Sequence, residues 1–232
     1  MKNYKHLFFD LDHTLWDFEQ NSRAVLKQLF EDFRLEPKGV SSLESFQDHF
    51  EQQNDKFWTR FRKGQVNREQ LRWKRFWHTL ISFDIRDHAL AVDLSDAYLQ
   101  QLPQQSALMP FAEELLKYCQ NKDYRLHLIT NGFEQTQWMK LKQSGIDGYF
   151  GKMITSQNCG ALKPDARIFD FALRETDADV STSLMIGDAL EADVLGARAF
   201  GMDQVFYNVR KTKHAEMPTY EINSLEELLT IL

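Results

Sequence analysis

Five short apolar runs spaced along the chain constrain its fold more than any other feature. They lie at residues 6–11 (HLFFDL), 125–130 (RLHLIT), 152–155 (KMIT), 183–187 (SLMIG) and 204–207 (QVFY). Each is of strand length and nearly continuous, without the alternation of a half-exposed strand, so both faces of the sheet must be covered. Helical patterns separate them. Pro110 and Pro164 stand where helices can open. Near the end, Ser224 and Glu227 have capping-box spacing ahead of Leu225, Leu228 and Leu229. Strands alternating with helices predict an α/β fold with a doubly wound parallel sheet.

One connection is too long for that scheme. About 110 residues separate the first run from the second, whereas a complete βαβ unit needs roughly 30. The surplus is helical in pattern. Val25, Leu29 and Phe33 step by four; Leu43, Phe46, Phe50, Phe57 and Phe61 share a face, with Ser41 and Glu44 spaced as a capping box before it. Leu71, Trp73, Phe76, Trp77 and Leu80 mark a third helix, and Leu90, Leu94, Ala97 and Tyr98 a fourth. The expected organisation is a core of residues 1–16 and 106–232 with a helical insert, 17–105, after the first strand.

Composition narrows the classes of partner. A net charge of −6 argues against general nucleic-acid binding. The start of the chain has no apolar region long enough for a secretory signal, and no stretch reaches the length of a membrane span. Cys119 and Cys159 are isolated, which fits reduced thiols rather than a disulfide frame or a zinc site. The expectation is a soluble, cytoplasmic protein whose partner is a small molecule, not a nucleic-acid polymer or a membrane.

The chemistry-bearing residues cluster at the ends of the apolar runs. Asp10 and Asp12 sit two apart where the first run ends, so both can point to one side at the carboxyl edge of the sheet, followed by Thr14. A carboxylate such as Asp10 is nucleophilic without a base, but it must approach a negatively charged phosphate, so a cation has to lie between them. Asp188 ends a later run and Asp193 follows about one helical turn on. Carboxylates converging at one edge need a shared hard cation, and oxygen-only ligands favour magnesium, which would also polarise phosphoryl oxygens. Thr130-Asn131-Gly132 closes a strand and enters a helix, a place for a hydroxyl and main-chain N–H groups to hold phosphate. Lys163, before Pro164, offers a point positive charge.

Each element alone is common; the four in this order are not. Together they resemble the signature motifs of the haloacid-dehalogenase-like superfamily of phosphohydrolases, over the whole chain. The resemblance implies a Rossmann-like core with a helical cap and a magnesium-dependent phosphomonoester hydrolase working through an aspartyl-phosphate. It makes Asp10 the nucleophile and Asp12 the acid and base. Thr130 and Asn131 are expected to bind phosphate together with Lys163. Asp10, the Asp12 carbonyl and Asp188 would bind metal, with Thr14 and Asp193 in support. Dehalogenases of this fold lack the second aspartate, so Asp12 favours phosphate chemistry. The stretches FFDLDHTLWDF (8–18) and ITNGF (129–133) are similar to the bacterial pyrimidine 5′-nucleotidase branch. That implies a nucleoside monophosphate as substrate. Phosphoglycolate or phosphosugar phosphatases and phosphosugar mutases share the same core motifs, and a non-catalytic binding module is disfavoured by the intact Asp10, Asp12, Lys163 and Asp188.

Two further signals are weaker. Between Arg60 and Arg75 basic residues interleave with Trp58, Phe61, Trp73, Phe76 and Trp77. Amphipathic helices with aromatic cores and solvated basic faces explain this, and such a surface could also draw anionic substrates. His13 reads as incidental, and His78 and His127 as packed rather than ligating.

Overall fold

The computed structural model describes residues 2–232. The chain forms two compact units. One comprises the chain up to Phe18 together with Ser106–Leu232, the other Glu19–Gln105.

The first unit is built on six strands: β1 (His6–Phe9), β2 (Arg125–Thr130), β3 (Phe150–Thr155), β4 (Ser183–Gly187), β5 (Asp203–Tyr207) and β6 (Tyr220–Ile222). They form one parallel sheet in the order β3-β2-β1-β4-β5-β6. Successive connections therefore run outward in opposite directions from β1, and the switch point lies between β1 and β4. At that point the carboxyl ends of neighbouring strands splay apart and leave a crevice for a ligand. Every residue of β1 is buried, as a central strand covered on both faces requires. On one face Phe8, Ile129, Ile154 and Met185 pack with Ile168, Phe169 and Ala197. β6 went unnoticed in the sequence because three residues with a half-exposed tyrosine and an exposed glutamate carry no apolar run.

The second unit holds the helical insert. After α1 (Phe18–Asp32) come α2 (Leu43–Arg62), α3 (Arg68–Ile81) and α4 (His88–Gln101). Ser42, not Ser41, caps α2: its hydroxyl accepts the Ser45 N–H at 3.1 Å, one residue later than the spacing suggested. Asn67 and Gln70 form a reciprocal cap on α3. The interior is aromatic, with Phe50 against Phe76 at 4.6 Å and against Tyr98 at 5.0 Å between ring centres. Each such pair adds about 0.5–1.5 kcal/mol beyond burial of area. One member of the basic stretch departs from the expected solvated face. Arg75 is buried, donating to Asn54 Oδ1 at 2.7 Å and to the Leu71 carbonyl at 3.0 Å, with the Phe50 and Tyr98 rings each 5.6 Å from its guanidinium carbon. Its planar, weakly hydrated cation tolerates an aromatic surrounding that an ammonium would not.

The first unit continues with α5 (Ala112–Asn121), α6 (Glu134–Gln143), α7 (Ser156–Cys159), α8 (Ala166–Thr176) and α9 (Gly196–Phe200). A π-helical turn, Leu190–Leu195, leads into α9. Among the described residues no helix is long and apolar enough to cross a membrane.

Candidate active site

The carboxyl ends of β1, β2 and β4 carry the residues singled out in the sequence. Asp10 follows β1 and still donates its N–H to the Ile186 carbonyl at 2.9 Å, so sheet pairing fixes its main chain. The loop beyond turns sharply: the Leu11 carbonyl accepts from the N–H groups of Leu15 and Trp16, both at 2.9 Å, and His13 takes a left-handed conformation at φ 63°. Thr14 then reaches back to β4. Its hydroxyl donates to Asp188 Oδ1 and accepts the Asp188 N–H, both at 3.1 Å, tying the two strand ends together.

Lys163 lies at the centre of a buried charge cluster. Its ammonium donates to Asp10 Oδ1 and the Ile129 carbonyl, both at 2.6 Å, and pairs with Asp193 Oδ1 at 2.7 Å. Two hydrogen bonds and one close ion pair hold the ammonium within the cluster, and what it offers a phosphate there is its positive charge. Asp193 Oδ2 accepts the Ala189 N–H at 3.0 Å, which fixes the other half of that carboxylate. The neighbouring Gly187 is obligatory, since a Cβ there would run into the Asp193 carboxylate. Asn131, expected at the phosphate, turns its side-chain amide elsewhere. It donates to the Lys163 carbonyl at 3.0 Å and accepts the Lys163 N–H at 2.8 Å, holding that main chain; any service to phosphate falls to its own N–H. The Thr130 hydroxyl oxygen accepts from the Gly132 N–H at 3.0 Å and Gln137 Nε2 at 2.8 Å, which leaves its proton to donate.

Electrostatics mark the cluster as incomplete in charge. Burial pushes the Asp10 carboxyl up to about 7; Lys163 opposes this, and Asp193 and Asp12 add repulsion. Burial, then Asp10 and Asp193, hold Asp188 well above the usual carboxylate range. Burial would push Lys163 down, but Asp10 and Asp193 outweigh it and raise it. Oxygens of Asp10, Asp188 and Asp193 lie within 4.8 Å of one another. One ammonium thus faces three carboxylates, and an oxygen-only set with surplus negative charge fits a hard divalent cation. Asp193 joins Asp10 and Asp188 in the carboxylate cluster that the structure brings together, while the Asp12 carboxylate is drawn to α6.

There, Asp12 Oδ1 accepts from Lys140 Nζ at 2.5 Å and Oδ2 from Gln137 Nε2 at 3.0 Å. Neither α6 residue stands out in the sequence. Their signal was three-residue spacing directly after Thr130-Asn131-Gly132, on a helix whose apolar residues do not define a face.

Comparison with known proteins gives the family. Residues 4–201 match the family model of the haloacid dehalogenase-like hydrolases. The chain belongs to this family. Among its relatives are two whole-length matches: the pyrimidine 5′-nucleotidase PynA of Streptococcus pneumoniae, 32% identical over 99% of this chain and 95% of PynA, and the pyrimidine 5′-nucleotidase YjjG of Escherichia coli, 30% identical over 97% of this chain and 96% of YjjG. A magnesium-bound crystal structure of YfnB from Bacillus subtilis superposes with a TM-score of 0.89 at 28% identity, covering 99% of each chain. The chain is thus a haloacid dehalogenase-like hydrolase with phosphatase relatives, on the family's parallel core.

Proposed function

We propose that the protein is a magnesium-dependent nucleoside 5′-monophosphatase with a preference for pyrimidines, acting through an aspartyl-phosphate on Asp10. The observation that carries the chemistry is Asp10 held at a strand end by Lys163, beside Asp188 and Asp193, with Asp12 two residues on. The substrate class rests on the whole-length likeness to two pyrimidine 5′-nucleotidases. Asp10 Oδ1 is tied to Lys163, so Oδ2 is the attacking atom. As Oδ2 bonds to phosphorus, the ester P–O bond breaks and Asp12 delivers a proton to the departing oxygen. Water then attacks the phosphorus while Asp12 takes its proton, the Asp10–phosphorus bond breaks, and inorganic phosphate leaves. Thr130 donates to a phosphoryl oxygen and Lys163 balances its charge. Asp10, Asp188 and the Asp12 carbonyl would hold magnesium, with Thr14 and Asp193 in support; when bound, the ion neutralises the cluster and polarises phosphoryl oxygens.

The leaving group must be chosen by surfaces other than this cluster, which engages only phosphate and metal. In the helical unit Trp73 and Trp77 are half-buried, their rings 4.7 and 6.0 Å from that of His88. Trp58 is also half-buried, edge-on to Phe61. Aromatic faces of this kind can stack on a base, each worth about 1–3 kcal/mol.

A panel of phosphomonoesters with magnesium tests the assignment. UMP, dUMP and dTMP should show higher kcat/KM than AMP, GMP, phosphoglycolate or a hexose phosphate. Equal efficiency on the last two would overturn the nucleotidase reading and leave the hydrolase intact.

A further inference from the structure

α6 buries the wrong residues for an ordinary surface helix. Gln137 and Lys140 are 0% and 2% exposed, while Trp138 between them is 36% exposed. Burying a lysine costs up to about 2 kcal/mol in side-chain entropy, besides desolvation of its charge. A helix that hides its lysine and shows its tryptophan is not organised by packing alone.

The buried face is organised around one carboxylate. Lys140 holds Asp12 Oδ1 at 2.5 Å, and Gln137 holds Oδ2 at 3.0 Å while donating to Thr130 Oγ1 at 2.8 Å. Residues three apart on a helix project side by side, so one face supplies both donors. The carboxylate cannot rotate about its own axis without losing both. The lysine is confined in turn: its ammonium lies 4.4 Å from the centre of the Trp16 ring and 5.6 Å from that of Phe18. Trp16 is fully buried and fixed by the same tight loop that carries Asp12, through its N–H to the Leu11 carbonyl. Main-chain turn, aromatic floor and helix face thus converge on a single orientation of Asp12.

We propose that Lys140, assisted by Gln137, is a positioning residue that fixes the Asp12 carboxylate for both proton transfers and couples its orientation to the phosphate-facing Thr130. This deepens the reading above and rests on Asp12 being the acid and base. A purely structural ion pair would also be buried and bonded, but it would have no reason to distinguish between leaving groups. A residue acting through Asp12 must. An alkoxide needs a proton as it leaves, whereas p-nitrophenolate does not.

The test uses Lys140→Met and Lys140→Arg, each alone and combined with Asp12→Asn, in the full chain with magnesium. Two substrates are compared, UMP and p-nitrophenyl phosphate. The pre-steady-state burst of p-nitrophenolate reports the first transfer alone. Lys140→Met should lower kcat on UMP about 10–100-fold with KM within about threefold, the scale of a misplaced catalytic group. Its burst rate on p-nitrophenyl phosphate should fall less than about threefold. Lys140→Arg should recover part of the UMP rate, and Asp12→Asn/Lys140→Met should be no slower than Asp12→Asn. Additive losses in the double variant, or equal losses in both first transfers, would overturn the inference. Full UMP turnover by Asp12→Asn would instead overturn the acid–base reading on which it stands. If Lys140→Met does not fold, Gln137→Met carries the same comparison: it should show the same leaving-group signature at smaller size, and its absence refutes the proposal.

Discussion

The two units bury charge for different ends. In the first, Lys163 and Lys140 lie beneath a sheet edge, each bonded to a carboxylate at 2.6 Å or closer, within a cluster whose negative charge exceeds its positive. In the second, Arg75 is equally buried but meets an amide, a carbonyl and two aromatic rings, with no carboxylate partner among the described residues. The first arrangement is unbalanced and directional, as chemistry on an anion requires. The second is satisfied locally and serves packing. Buried charge signals function when its environment leaves an electrostatic demand open.

The largest effect should come from Lys163. Lys163→Met leaves Asp10 and Asp193 facing each other without a cation, and removing one partner of a buried pair typically costs about 3–5 kcal/mol. Urea unfolding should show that loss, with activity falling below detection. A variant as stable as the wild type would mean that the cluster is not strained by its own charge.

Magnesium removal should reveal the same demand through pH. Asp10 is held at about 7 in the folded protein, above the roughly 4 of an unfolded aspartate, chiefly by burial. Between those values the folded chain keeps a proton that the unfolded chain has released. The stability this group contributes is therefore lost as pH rises through that window. In chelator, the stability of the wild type relative to Asp10→Asn should decline from about pH 4 to about pH 7, and magnesium should flatten the decline. A difference that stays level, or rises, in chelator contradicts the charge surplus.

Arg75 supplies the smaller, opposite expectation. Arg75→Met keeps most of the volume and removes the cation, so stability should change by about 1–2 kcal/mol in either direction. Below the melting range kcat should stay within about twofold. Loss of activity at unchanged stability would place chemistry in the helical unit and break the contrast.

Much of this was legible in the sequence because it is local. Near-continuous apolar runs announced buried parallel strands, and Asp10, Thr130 and Asp188 lie at or beside the ends of such runs, so strand ends and chemistry could be read together. What escaped depends on contacts between distant segments. Lys140 meets Asp12 across 128 positions of sequence, and nothing local marks a lysine on a mixed helix as buried. Asn131 sits in the expected loop, but its amide is spent on the Lys163 main chain, 32 residues away. Arg75 looked like a solvated charge because its helix face was judged by composition, and only the packing of Phe50 and Tyr98 shows otherwise.

The central claim is that Asp10 is the nucleophile that takes the phosphoryl group. Rapid quenching of the enzyme with labelled UMP and magnesium, followed by peptide mapping, tests it directly. The account predicts acid-stable, hydroxylamine-sensitive label on the peptide containing Asp10, abolished in Asp10→Asn. Label on any other peptide, or turnover that persists in Asp10→Asn, would contradict it.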